Sequence, residues 1–190
     1  MERTLVTAPT AHAVDFDDLK DHLRITHDDD DPYVSAVLEA AQAYVELYLN
    51  RKLVTQTWKA FFDDWPDGDA IYLPFGQLSS VTHVKYTDSD TDQSTFSSDD
   101  YIVDTDSEPG RVVLGYNESW PTATLYPSNP IEVQFVCGYG DPSSVPMPIK
   151  HAIKITAADL YENRETILVG TITSSLKTVK ALLANYRLFA

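Results

Sequence analysis

The chain is short of cysteine, glycine and basic side chains, and each shortage closes off a class of function. Its 190 residues hold a single cysteine, Cys137, which excludes a disulfide framework within the chain and any zinc site built on cysteine. Seven glycines leave little material for a phosphate-cradling loop, and no G-x-x-x-x-G-K-[ST] motif is present. Fourteen Lys and Arg stand against 29 Asp and Glu, a net charge of −15. A protein that clamps nucleic acid tightly needs a basic face, so that class is set aside. The opening MERTLVTAPTAHAV has no apolar core of signal-peptide length, and no run is long enough for a membrane helix. The expectation is a protein that meets no membrane, made in the cytosol or assembled into a particle there.

What is present describes a globular protein. Apolar residues make up 43% and charged residues 23% of the chain, proportions suited to one domain or a domain with a modest insertion. Asp15 is placed to cap a short helix over residues 16–25, with Asp18 in its first turn and Val14 and Leu19 as a staple. Four aspartates, Asp28 to Asp31, then run into Pro32, a helix-entry pattern that complements the helix dipole. A second helix is predicted over residues 32–49, with Val34, Val37, Leu38, Ala41, Val45 and Leu49 as its apolar stripe and Asn50 as a left-handed stop.

From Leu53 the period changes. Segments 55–62, 70–73, 81–86, 101–103, 111–114 and 131–137 are short, β-branched or aromatic, and separated by turn formers. The polar stretch 87–100 reads as an exposed hairpin arm. Helical patterning returns over residues 148–167 and again over 176–184, and residues 185–190 follow. The sequence therefore predicts an α+β fold: a helical core of two helices before and two after an inserted antiparallel β-sheet or small barrel. Its parts are residues 1–52, the β insertion 53–137, and residues 138–190.

Candidate chemistry is thin. Asp88, Asp90 and Asp92 imitate the start of a calcium loop, but Gln93 stands where the loop needs glycine, and no helices flank it. A solvated hairpin tip is the plainer reading. His27 beside Asp28–Asp31 holds metal-ligand residue types, although consecutive side chains fan apart. His12, His22, His83 and His151 show no ligand spacing, and no nucleophile elbow or Cys–His signature occurs. No catalytic residue, metal or cofactor follows. Trp58, Trp65 and Trp120 read as core or as interface anchors. Charge is uneven: residues 10–31 hold eight acids and two bases, whereas residues 146–190 hold six bases and three acids. Complementary ends of that kind allow head-to-tail association of copies.

The ordered string of segments supplies a resemblance. LVTAP (5–9), VDFDDLKDHLRI (14–25), the Y-x-x-A-V-L-E-A-A pattern from Tyr33, TQTW (55–58), LPFGQLSSV (73–81), YIVD (101–104), PGRV (109–112) and WP (120–121) come in sequence. FVCGYGD (135–141), VPMPIKHAI (145–153), LYENRE (160–165) and LLANYR (182–187) complete it. Across nearly its whole length the chain resembles the head–tail connector, or adaptor, proteins of long-tailed bacteriophages and gene transfer agents. The 87–100 arm and the Phe75-Gly76 turn depart from the commoner pattern. The resemblance implies a structural protein of the virion neck, forming a ring of about twelve copies under the portal and docking a stopper or the tail. DNA would pass through its channel without tight binding. By the same resemblance the final segment reaches toward the portal, through Tyr186, Arg187, Leu188 and Phe189. That segment looks apolar and basic, with no core left to join. Glu162, Arg164 and Glu165 are candidates for bridging neighbouring protomers, an intramolecular pair being the alternative. Two other classes remain open at this point: an acidic protein-binding module, calcium-dependent through 88–92, and a hydrolase.

Overall fold

A computed structural model describes residues 1–163 and 173–189, apart from the side chains of 173–176. The chain divides into two compact units. One, the β unit, comprises residues 1–9 and 55–138; the other, the helical unit, comprises residues 10–54 and 139–189.

In the helical unit, α1 (Phe16–Leu23) starts as the sequence predicts, with the Asp15 carboxylate accepting from the Asp17 N–H, and Val14 and Leu19 are buried. It ends two residues earlier than expected, at a left-handed Arg24. α2 (Asp31–Leu49) carries the anticipated stripe, fully enclosed, and stops at left-handed Asn50. α3 (Met147–Glu162) follows a short 3-10 turn, Pro142–Ser144, capped by Asp141. α4 spans Thr173–Leu183. Ile149, Ala152, Ile153 and Ala157 of α3 meet the α2 stripe in one core, which Val179 and Leu183 of α4 extend. The part of the third predicted helix beyond residue 163 lies outside the described residues.

The β unit holds eight strands: β1 (Glu2–Thr7), β2 (Gln56–Phe62), β3 (Ala70–Tyr72), β4 (Leu78–Thr87), β5 (Gln93–Phe96), β6 (Tyr101–Asp104), β7 (Arg111–Leu114) and β8 (Ile131–Cys137). They form a five-stranded sheet ordered β1-β2-β8-β4-β5 and a three-stranded sheet ordered β3-β7-β6, with every named pair antiparallel. Both sheets are open, which corrects the small-barrel alternative. β1 and β5 end one sheet and β3 and β6 end the other, so no edge is abolished by closure. The central strand β8 alternates strictly, burying Ile131, Val133, Phe135 and Cys137. These residues share one core with Ile71 and Val112 of the smaller sheet.

Two strands were not anticipated. β1 draws residues 1–9 into the β unit and not into the helical core that the sequence predicts for 1–52, and Glu2–Leu5 pair there with Trp58–Phe61. β5 lies within the predicted exposed arm and pairs Val84↔Phe96 through Thr87↔Gln93. Phe96 is buried there, so the base of the arm belongs to the core.

Candidate assembly surfaces

The last described residues are tied to the end of α2. The Leu188 N–H donates to the Leu49 carbonyl at 2.9 Å, and the Arg51 Nε donates to the Tyr186 carbonyl. Leu188 is buried and Tyr186 is half-buried against the helical core. This corrects the picture of a segment with no core to join: the C-terminal turn of α2 creates a seat that one-dimensional patterning does not reveal. Arg187 and Phe189 remain exposed, Phe189 at 76%. The Arg187 guanidinium packs over the Tyr48 and Phe189 rings. Beside them on α2 lie Tyr44 and Leu47, the latter 82% exposed. Exposed apolar side chains and the Arg187 guanidinium thus lie at the C-terminal end of α2.

Of the three candidates at the end of α3, Glu162 is exposed on the last helical turn. Arg164 and Glu165 lie outside the described residues. Nearby, the helix is locked to the start of α2. Tyr33 donates its hydroxyl to the Leu160 carbonyl at 3.1 Å, and Tyr161 donates its own to the Asp30 carboxylate.

The acidic clusters make local contacts within the fold. Lys20 bridges Asp28 at 2.8 Å and Asp31 at 2.6 Å. Those hydrogen bonds raise the Lys20 pKa to about 12 and lower that of Asp28. In the 88–92 turn the Asp88 carboxylate accepts from the Asp90 and Asp92 N–H groups, at 2.9 and 3.0 Å, which closes the hairpin as an Asx turn does. Among the described residues no group of three or more His, Cys, Asp or Glu is arranged to hold a metal ion.

Polar groups are also buried along α2, at positions its apolar pattern does not mark. Gln42 accepts from the Ala13 N–H at 2.8 Å, and Glu46 accepts from the Leu53 N–H at 3.2 Å and from Lys52 at 2.8 Å. Both sit on the α2 stripe and tie the flanking loops to the helix. On the β unit, burial pushes the Glu132 carboxyl up, but hydrogen bonds from His83 and Lys59 outweigh it and its pKa is lowered. The tryptophans are half-buried. Trp58 packs on Phe75 with centroids 4.7 Å apart, and Trp65 stacks on Trp120 at 5.0 Å and 9°.

In this α+β scaffold the notable groups cap turns, brace helices and line exposed patches. The sequence model of the phage gp6-like head-tail connector protein family matches residues 14–109, and the chain belongs to that family. It is a structural connector and not an enzyme. No curated protein sequence matches the chain. Among solved structures, a chain from the neck of an empty GTA particle computed with C6 symmetry superposes with a TM-score of 0.85 at 22% identity, covering 100% of this chain and 97% of that one. A chain from the virion of a native gene transfer agent particle gives 0.82 at 21% identity, and one from the neck of a native GTA particle computed with C12 symmetry gives 0.81 at 22%. Each match covers 100% of this chain and 97% of the other. At these identities the likeness is one of fold.

Proposed function

We propose that the chain forms a ring in the neck of a phage or phage-like particle, joining the head to the tail. The observation that carries this reading is membership of the head-tail connector family together with a full-length fold shared with neck chains computed with C6 and C12 symmetry. In the ring one side meets the portal and the other a stopper or the tail. Arg187 and Phe189 make the portal-facing contact, held out by Tyr186 and Leu188, which fasten the segment to α2. Glu162, Arg164 and Glu165 bridge adjacent protomers. The net charge of −15 suits a channel wall past which DNA slides, since like charge disfavours adhesion to phosphate.

Electron microscopy of particles with and without the intact gene tests the proposal. The expected result is a ring of this mass between head and tail in the first set, and tailless, DNA-leaking heads in the second. Complete tailed particles lacking the protein would overturn it.

A further inference from the structure

The five-stranded sheet is open at both ends, and neither end carries the features that normally keep an edge from pairing. All six residues of β1 are exposed, as are Gln93, Ser94 and Thr95 of β5. Each strand pairs on one side only, β1 with β2 and β5 with β4. Their outward backbone N–H and C=O groups have no hydrogen-bond partner among the described residues. Edges are ordinarily blunted by proline, by charged side chains, by bulges or by a covering segment. Neither strand contains proline or lysine. The two charged side chains of β1 are turned back onto its own unit. Glu2 accepts from the Asn129 amide at 3.2 Å, and the Arg3 guanidinium carbon lies 5.0 Å from the Phe75 ring centroid. The irregularity between Leu5 and Thr7 leaves the run Glu2–Leu5 in regular register. Leu5 and Val6 add exposed apolar surface beside it. The smaller sheet offers less, since its end strand β3 has three residues.

Strand direction selects the occupant. Four successive antiparallel pairings lead from β1 to β5, so the first and last strands of the sheet run the same way. In a ring of many copies each copy is turned only slightly relative to the next, and a slight turn preserves strand direction. β5 of one copy then meets β1 of the next as a parallel neighbour. Pairing of β1 with β1 needs a two-fold axis instead, which gives an isolated pair of copies.

The geometry points to backbone pairing between β5 of one protomer and residues 2–5 of β1 of its neighbour, so that the five-stranded sheet continues from copy to copy. The two edges differ, so the contact is heterologous, and repeating it about an axis closes a ring. Strand addition of this kind draws its affinity from main-chain hydrogen bonds. This inference rests on the ring reading above and assigns that ring one of its interfaces.

The test introduces Thr4→Cys and Thr95→Cys into the same chain and treats assembled particles with a short bismaleimide. Thr4 pairs with Lys59 and Thr95 with Lys85, which alternate with the core residues Ala60 and Val84. Both threonines therefore lie on the solvent face of the sheet. Within one copy four strand spacings, about 19 Å, separate them, too far for the reagent to span. Cys137 is buried in β8, so the introduced thiols are the accessible ones among the described residues. A ladder of cross-linked multimers is expected from the double variant and none from either single variant. Necks that hold the double variant yet give only monomer overturn the contact. Dimers from Thr4→Cys alone, the mark of β1–β1 pairing, overturn it too, as does a link from either single variant to a different neck protein. Absence of the unmodified protein from necks would instead overturn the connector reading. A second measurement, amide hydrogen exchange, needs no variant. Peptides covering β1 and β5 should both exchange at least about tenfold more slowly in assembled necks than in the monomeric protein. Equal exchange in the two states, or slowing confined to one of the two strands, counts against the contact.

Discussion

The guanidinium carbon of Arg187 lies 4.8 Å from the ring centroid of Tyr48, so a residue near the end of the chain is stacked on the last turns of α2. The segment that the sequence presents as loose is thereby oriented before any partner arrives, and an oriented segment loses less conformational freedom on docking. Two substitutions separate fastening from contact. Leu188→Ala removes a buried side chain and should lower stability by about 2 kcal/mol, read as a shift in the urea midpoint. Arg187→Ala should leave that midpoint nearly unchanged while reducing the amount of protein retained on purified heads. If both variants bind heads normally, the segment is not the portal contact.

Glu46 should be the costliest polar residue to lose from the helical unit. Its carboxylate accepts from the Leu53 N–H, and Leu53 is fully enclosed. Glu46→Ala removes the acceptor of an enclosed backbone donor, at about 1–3 kcal/mol. Glu46→Gln keeps an acceptor oxygen and should recover much of that loss. Chemical denaturation of the three proteins measures the order.

The β6–β7 hairpin carries its own acid sensitivity. Hydrogen bonds from Ser107 and Arg111 lower the Asp104 pKa to about 2, against an ordinary value of 3.8. Protons therefore bind the unfolded form more readily across that interval. The stabilisation is complete above about pH 4 and is lost as the pH falls through 2. Asp104→Asn should melt at a lower temperature than the parent at pH 7, with the gap closing as the pH approaches 2. Melting curves followed by circular dichroism at several pH values show whether the two proteins converge.

Gly110 allows a close approach of chain segments. A Cβ placed there would sit 2.3 Å from the Leu78 Cβ, while the Gly110 carbonyl accepts from the Leu73 N–H at 2.8 Å. Gly110→Ala should cost about 1–3 kcal/mol through overpacking. Adding Leu78→Gly removes the obstructing side chain, so the double variant should lose less than the sum of the two single changes. Strict additivity in a double-mutant cycle would show that the two positions do not meet.

The helices were legible because their signals are local. Asp15, the Asp31-Pro32 entry and Asn50 act within a turn of their own positions, and the α2 stripe repeats at helical spacing. β8 was legible for the same kind of reason, since its alternate residues are all enclosed. β1 was not: all six of its residues are exposed, so no alternation of burial marks it, and its hydrogen bonds go to a strand some fifty residues later. β5 hid among polar residues, with Phe96 as its single buried member. The choice between open sheets and a barrel depends on pairings such as Trp58↔Phe135, which no local pattern encodes. On the surfaces, exposed charge and aromatics could be read directly. The seat under Leu188 and the Trp65–Trp120 stack could not, because each is made by segments distant in sequence.

The division of strands between residues 1–9 and 55–138 limits how this protein can be recombined. A crossover that exchanges only the central stretch with a relative would leave the first strand facing a foreign β2, with its register against Trp58 to Phe61 unmatched. Functional chimaeras should therefore inherit the opening residues and the central stretch from the same parent.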